Sequence, residues 1–241
     1  MSFPVTRHAV ANATTSHAVV STTVAYPVRF DDIEDAGGLE QPSNIVTIDI
    51  ATPALITWPT NHTFTLGDVV WFTTTGALPT GITAATPYYV QSAGLTATQF
   101  RISASLGGAD VNTSGTQSGI QTCRCINQLH FPTRGDYLVE LSWMVRLNTA
   151  VDATMDLWAD FNGSNVANSN TQLRLTANGE VNVASCPYVF TATAPNDFCR
   201  FFYRGSDTNL ELLAVGTAAS PTRPATPAVV LTAVYVGRHI A

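Results

Sequence analysis

Between Asp136 and Leu147 the chain reads DYLVELSWMVRL, and apolar and polar positions alternate with a period of two. Tyr137, Val139, Leu141, Trp143, Val145 and Leu147 fall on one face, and Asp136, Leu138, Glu140, Ser142, Met144 and Arg146 on the other. That is the pattern of a half-buried strand. Burying its six apolar side chains contributes on the order of 10 kcal/mol. Ordering the segment costs at least as much, at ~1–2 kcal/mol per residue. The strand therefore stands only inside a sheet that covers the Trp143 face.

The same alternation recurs downstream. ATMDLWADF (153–161) puts Met155, Leu157, Ala159 and Phe161 on one face, and TQLRLT (171–176) follows and ends at Ala177-Asn178-Gly179. CPYVFTAT (186–193), DFCRFFYRG (197–205), TNLELLAV (208–215) and AVVLTAVYVG (228–237) continue the series. The last strand so close to the end of the chain predicts a central place in its sheet. The Pro-rich SPTRPATP (220–227) lies outside the sheets, because proline cannot donate to a ladder. Residues 1–15 are polar and rich in Ala and Thr and read as an arm. Residues 17–30 hold one or two strands, 31–44 a loop, and IVTIDI (45–50) a strand. A stretch of short strands then follows, expected at 63–65, 68–74, 87–92, 99–103 and 109–113. Gly67-Asp68, Leu78-Pro79-Thr80-Gly81 and Gly107-Gly108 mark its turns, the second of type II. Capped segments of helical period are missing, so the fold class is all-β.

Composition sharpens this. Of 241 residues 45% are hydrophobic, enough for a real core, but only 12% are charged, about half of the ~25% usual in soluble domains. A surface so poor in charge either meets other chains or is neutral and polar. All 11 basic residues are Arg, and the formal net charge is −6. With no basic run, nucleic acid is not an expected partner. No apolar stretch is long enough for a membrane helix, and the N-terminus has no signal-type apolar core. Cys123 and Cys125 share one strand face. Cys186 and Cys199 suit adjacent strands, and no zinc spacing exists. Free, buried thiols are therefore the default, with a disulfide as the alternative.

Catalytic motifs are absent: there is no G-x-S-x-G, H-E-x-x-H, phosphate loop or G-x-G-x-x-G. His8, His17, His62, His130 and His239 are scattered. No enzyme activity and no cofactor are expected. Asp31, Asp32, Glu34 and Asp35 form an acidic cluster without calcium-loop spacing, a solvated turn rather than a cation site. Asp156 and Asp160 fall together on the polar face of their strand. Paired carboxylates there can act on sugars, and a solvated face is the simpler reading. Trp58, Trp71, Tyr88 and Tyr89 are candidates for a ligand-facing aromatic surface, against the plainer reading that they pack.

Two stretches resemble known families. The segment HTFTLGDVVWFTTTGALPTGITAATPYYVQSAGLTATQFRISASLGGADVNTSGTQSG resembles a small β module of tailed-bacteriophage virion proteins. The likeness lies in Gly67-Asp68, Phe72-Thr73-Thr74-Thr75-Gly76, Leu78-Pro79-Thr80-Gly81, Tyr88-Tyr89-Val90, Phe100-Arg101-Ile102-Ser103 and Asn112-Thr113-Ser114-Gly115. The flanks, TVAYPVRFDDIEDAGGLEQPSN and Asn127-Gln128-Leu129-His130-Phe131-Pro132-Thr133-Arg134-Gly135-Asp136-Tyr137-Leu138-Val139, resemble the opening of a jelly roll of the complement-globular and tumour-necrosis-factor type as found in phage proteins. In that family the two flanks lie close together. Here a module separates them. The expected architecture is an arm (1–15), an antiparallel jelly-roll sandwich made of 16–49 and 124–241, and an inserted β-barrel or sandwich module (50–123).

The resemblance implies a homotrimer on the surface of a phage virion, decorating or projecting from the head and assembled in the bacterial cytoplasm. The alternative is the receptor-binding tip of a tail fibre or baseplate, with a host glycan as ligand. The aromatic run FCRFFYRG and the scarcity of charge place Phe201, Tyr203 and Tyr235 at the trimer axis. The arm, with Pro4, Arg7 and His8, is the expected contact to a capsid shell or fibre adaptor.

Overall fold

A computed structural model describes residues 8–36 and 39–237. The chain divides into two compact units, Met1–Glu40 with Leu129–Ala241, and Gln41–Gln128. Every regular element among the described residues is a strand.

The larger unit has eight principal strands. In chain order they are His8–Ala13, Tyr26–Pro27, Gly135–Leu147, Ala153–Phe161, Thr171–Leu175, Val181–Ala192, Phe198–Gly205 and Val229–Gly237. The first pairs with the eighth, the second with the seventh, the third with the sixth and the fourth with the fifth, all antiparallel. The ribbon is thus folded back on itself. It closes into two sheets because the third strand also pairs with the eighth, and the fourth with the seventh. The result is one sheet of order first-eighth-third-sixth and another of order second-seventh-fourth-fifth. This winding is a jelly roll, and the strand order alone establishes it.

The alternating residues meet between the sheets. Tyr137, Val139, Leu141, Trp143, Val145 and Leu147 are buried, as are Met155, Leu157 and Ala159 of the facing sheet. Phe131, Phe161 and Phe190 cluster with Tyr137 at one end of this core. The last strand is central, between His8–Ala13 and Gly135–Leu147, as its place in the sequence predicts.

Several expectations for the N-terminal region need correction. Residues 8–13 are not an arm but the first strand of the roll, with Ala9, Ala11 and Ala13 buried. Alanine alternation is too weak an apolar signal to read as a strand. The acidic stretch is not a loop either: Asp32–Ala36 pairs along His8–Ala13 at the sheet edge. Pro4 and Arg7 lie outside the described residues. TNLELLAV keeps only Leu210–Leu212 as strand, and the start of the Pro-rich loop pairs back on the residues before it, Thr222–Arg223 with Ala218–Ala219, apart from both sheets.

The smaller unit is inserted along the line of the second strand. Tyr26–Pro27 and, after the insertion, Leu129–His130 both pair with Phe198–Gly205. The chain leaves at Glu40 and returns at His130, and these two exchange backbone hydrogen bonds of 2.9 and 2.7 Å. Ends held so close are what an insertion requires. The junctions differ from those expected. Residues 45–50 belong to the small unit, because Ser43–Ile45 pairs with Gln121–Cys125 and Thr47–Ile48 with Ile56–Thr57. Residues 124–128 belong to it as well.

Within the small unit, a five-stranded sheet runs Ile102–Ser103, Tyr88–Val90, Val69–Thr74, Gln121–Cys125, Ser43–Ile45. A three-stranded sheet runs Gln99–Phe100, Ile56–Thr57, Thr47–Ile48. Segments 63–65 and 109–113 are not strands. Ile56, Trp58, Phe64, Phe72, Tyr88 and Phe100 fill the core. At the predicted type II turn Gly81 has φ +107, and a Cβ there would meet the Asn112 carbonyl oxygen, so glycine is required twice over. Asp68 is 1% exposed. Its carboxylate accepts from Thr65 N (2.7 Å), Asn127 Nδ2 (2.9 Å) and Gln128 Nε2 (2.7 Å), tying one turn to the returning chain.

Candidate functional site

The outer face of the second sheet carries a cross-strand ladder. Asp156 stands opposite Arg204, Trp158 opposite Phe202 and Asp160 opposite Arg200. These even-numbered side chains point outward because their odd-numbered neighbours fill the core. Each rung differs. Asp160 and Arg200 form an ion pair, Nε to Oδ1 at 3.0 Å, with both side chains about as dry as the core (5 and 6% exposed). Phe198 and Phe202 flank the Arg200 guanidinium, 5.4 Å from each ring centre. The Trp158 and Phe202 rings lie 6.1 Å apart at 23°. At the last rung Asp156 Oδ1 instead accepts from the Asn170 and Gln172 amides, at 3.1 and 3.0 Å. The two carboxylates therefore serve different partners and are not an acid–base pair.

Asp156 and Trp158 open onto a cleft of about 350 Å³, bounded by Asn165, Asn168, Asn170 and Arg204. The loop NGSNVANSN forms its wall. Asn162, Gly163 and Asn168 take positive φ there, which Asn and Gly tolerate best. Ser169 pins the loop to the sheet: its hydroxyl accepts from Ala159 N (3.1 Å) and donates to Val166 O (2.7 Å). Nothing in the alternation of the flanking strands marks these asparagines. The run of four within nine residues, directly after an aromatic strand, was the available signal.

The outer face of the first sheet is different in kind. Leu138, Val181, Val183, Val189 and Val236 are exposed, by 41, 42, 64, 70 and 66%. Register brings Val189, Leu138 and Val234 side by side, and Val183 beside Met144. Polar residues separate these two apolar clusters; at the centre Ser185 Oγ donates to Glu140 Oε1 at 2.8 Å.

The residues singled out for the trimer axis are placed elsewhere. Phe201 and Tyr203 are buried between the two sheets of their own roll, and Tyr203 donates to Ala18 O at 3.1 Å. FCRFFYRG carries aromatics on both faces, so periodicity could not tell which face turns inward. Tyr235 is half-buried against Tyr137. Among the ligand-facing candidates, Trp58 and Tyr88 are core residues of the small unit. Trp71 is half-buried under the Arg124 guanidinium, 4.8 Å from its ring, and Tyr89 is half-buried. These four aromatics do not form one surface. His8 begins the first strand, and its neighbour Ala9 pairs with Ala233.

Within the acidic cluster, Asp31 supports the neighbouring chain. Asp31 accepts from Thr14 N at 2.6 Å and from Thr15 Oγ1 at 3.3 Å. The side chains of Glu34 and Asp35 lie outside what the structure describes. Among the described residues no group of three or more His, Cys, Asp or Glu could hold a metal ion. All four cysteines are free and buried. Cys186 and Cys199 sit in opposite sheets rather than on adjacent strands. Burial pushes the Cys123 and Cys199 thiols up, which keeps them protonated and unreactive.

His17 is 1% exposed and stacks on Tyr203 at 6.0 Å, with no hydrogen-bond partner for either ring nitrogen. Burial holds its pKa well below the ordinary histidine value, and the charge of Arg29 acts in the same direction. The folded state therefore keeps a neutral ring. Below pH ~6.5 the unfolded chain takes up the proton that the folded chain refuses. Stability should fall as pH drops from 7 to 5, by up to about 1.4 kcal/mol per pH unit from this group. Urea titrations across that range should show the slope shrinking by most of that amount in His17→Phe, which keeps a ring against Tyr203. An unchanged slope would assign the dependence to other groups, such as His62, whose pKa burial also lowers.

No family model matches the chain, and no curated protein matches it. Among solved structures it is similar to the globular domain of zebrafish complement 1qA protein. Identity is 8% over 73% of this chain and all of that one, with a TM-score of 0.25. The fold assignment rests on strand order, not on that likeness.

Proposed function

We propose that the protein is a structural component of a tailed-bacteriophage virion. In this reading homotrimers meet through the outer face of the first sheet and decorate or project from the head. The observation that carries the assembly part is the face bearing Leu138, Val183, Val189 and Val236. A second copy of the chain is the occupant that suits it. The face carries few charges: Arg146 is paired with Glu211 at 2.5 Å, while Glu140 and Asp136 carry carboxylate charges and accept from Ser185 and Thr191. The exposed apolar clusters are the part of it that suits the centre of a symmetric interface, with the two carboxylates at its polar positions. The virion part of the proposal is supported by the sequence resemblance of both units. With residues 8–13 integral to the roll, contact with a capsid shell or adaptor through the N-terminal segment is proposed for residues 1–7 alone.

Sedimentation at micromolar concentration should give a mass near three chains. Val183→Asp with Val189→Asp should give monomers with unchanged far-ultraviolet circular dichroism, since both side chains are more than half exposed. A wild-type monomer would sink the assembly reading. Electron microscopy of antibody-labelled virions would test the location. The receptor-binding reading is favoured by one observation, the Trp158 cleft.

A further inference from the structure

The geometry points to the cleft beside Trp158 as a binding site for an uncharged pyranose sugar. This goes beyond the assembly reading and does not depend on it, because the cleft lies on the second sheet and the proposed trimer contact on the first.

Four kinds of group converge there. Asp156 Oδ1 is held by the Asn170 and Gln172 amides, while Oδ2 receives no hydrogen bond from a described residue and faces the role of acceptor. The Trp158 indole N–H donates to Asn165 Oδ1 at 3.0 Å, which fixes that amide and leaves its NH₂ group to donate. Arg204 Nε donates to Thr22 O at 2.7 Å, which anchors the guanidinium and leaves its two terminal nitrogens for a ligand. Trp158 is half-buried, so part of its ring remains available for contact.

A carboxylate acceptor beside amide and guanidinium donors matches a pair of neighbouring hydroxyls, each of which donates and accepts. An aromatic ring next to them suits the C–H face of a pyranose, apolar on one side and hydroxylated at the rim. One negative and one positive side chain balance the cleft, unlike the concentrated positive charge that phosphate or carboxylate recognition uses. A volume of about 350 Å³ is at the low end of small-molecule sites. The wall is already ordered through Ser169 and the Asn165 and Asn170 contacts, so binding orders few new groups.

The test uses the full-length protein and saturation-transfer difference NMR. The probes are the methyl glycosides of glucose, galactose, mannose and N-acetylglucosamine, with sialic acid and inorganic phosphate as anionic comparisons. At least one neutral glycoside should receive saturation, most strongly on one ring face, with a Kd on the order of millimolar. Asp156→Asn and Trp158→Ala should each weaken that binding at least tenfold. Asp156→Asn should do so without moving the urea midpoint, because its side chain reaches only exposed amides. Three outcomes overturn the proposal. One is no transfer to any of the four glycosides at about ten times a millimolar Kd. Another is transfer that survives both substitutions. The third is phosphate or sialic acid binding in preference to every neutral sugar. Oligomeric state, read separately, distinguishes failure here from failure of the assembly reading.

Discussion

Arg200→Met should lower the stability of the jelly-roll unit by about 3–5 kcal/mol, the usual cost of orphaning a buried charge. The methionine keeps a long apolar stem against Phe198 and Phe202, so lost packing is a minor part. What remains is the Asp160 carboxylate, 5% exposed in its side chain and held then only by Gly163 N at 3.1 Å. Water cannot readily reach it. The double replacement Asp160→Leu with Arg200→Met removes both charges and should recover most of the loss. Urea unfolding followed by tryptophan fluorescence would measure both. A single-variant loss below about 1 kcal/mol, the worth of an exposed pair, would mean that solvent reaches Asp160 in solution.

Asp68→Ala should be equally severe for the smaller unit. Removing the carboxylate takes an acceptor from the Asn127 and Gln128 amides, both 0% exposed, and Gln128 Nε2 keeps a longer contact to Thr63 O at 3.4 Å. Buried groups left without a hydrogen bond cost about 1–3 kcal/mol each. Asn127 Oδ1 also accepts from Val69 N at 2.8 Å, so its displacement reaches the strand Val69–Thr74. A loss near 3 kcal/mol corresponds to a drop of roughly 12–24 °C in the melting transition of a unit this size. Asp68→Asn tests the cause. Its volume matches aspartate, but its NH₂ would face the donors of Asn127 or Gln128, so most of the loss should persist. Hydrogen exchange at Val69, Val70 and Phe72 in the full-length chain would report on this unit directly. Wild-type protection of those amides in Asp68→Ala would show that the network is dispensable.

Much of the larger unit was legible in the sequence. Asp136–Leu147 and Ala153–Phe161 alternate cleanly, and the structure buries the apolar face of each, with Phe161 half-buried at the end and Asp160 of the polar face buried as well. The all-β class and the turn at Gly81 follow from the same local rules. The candidate site was legible only in part. Alternation placed Asp156 and Asp160 on one polar face, but it could not show that Arg200 would claim Asp160 while Asn170 and Gln172 claim Asp156. Those partners are set by strand register, and the strand that supplies Arg200 begins 38 residues after Asp160.

What the sequence by itself determined is therefore the period of each strand and the conformation of its turns, because neighbouring residues settle these. What only the tertiary structure decided is which strand lies beside which, and which face turns inward where both are apolar. Phe201 and Tyr203 turned inward because their register partners on the neighbouring strand of the same sheet, Ala159 and Leu157, face the same core. His8–Ala13 became a strand because two others pair along it, and its alanines alone carry too little apolar surface to announce that. Pairing energy between distant segments appears only once the chain has closed, and no local pattern records it.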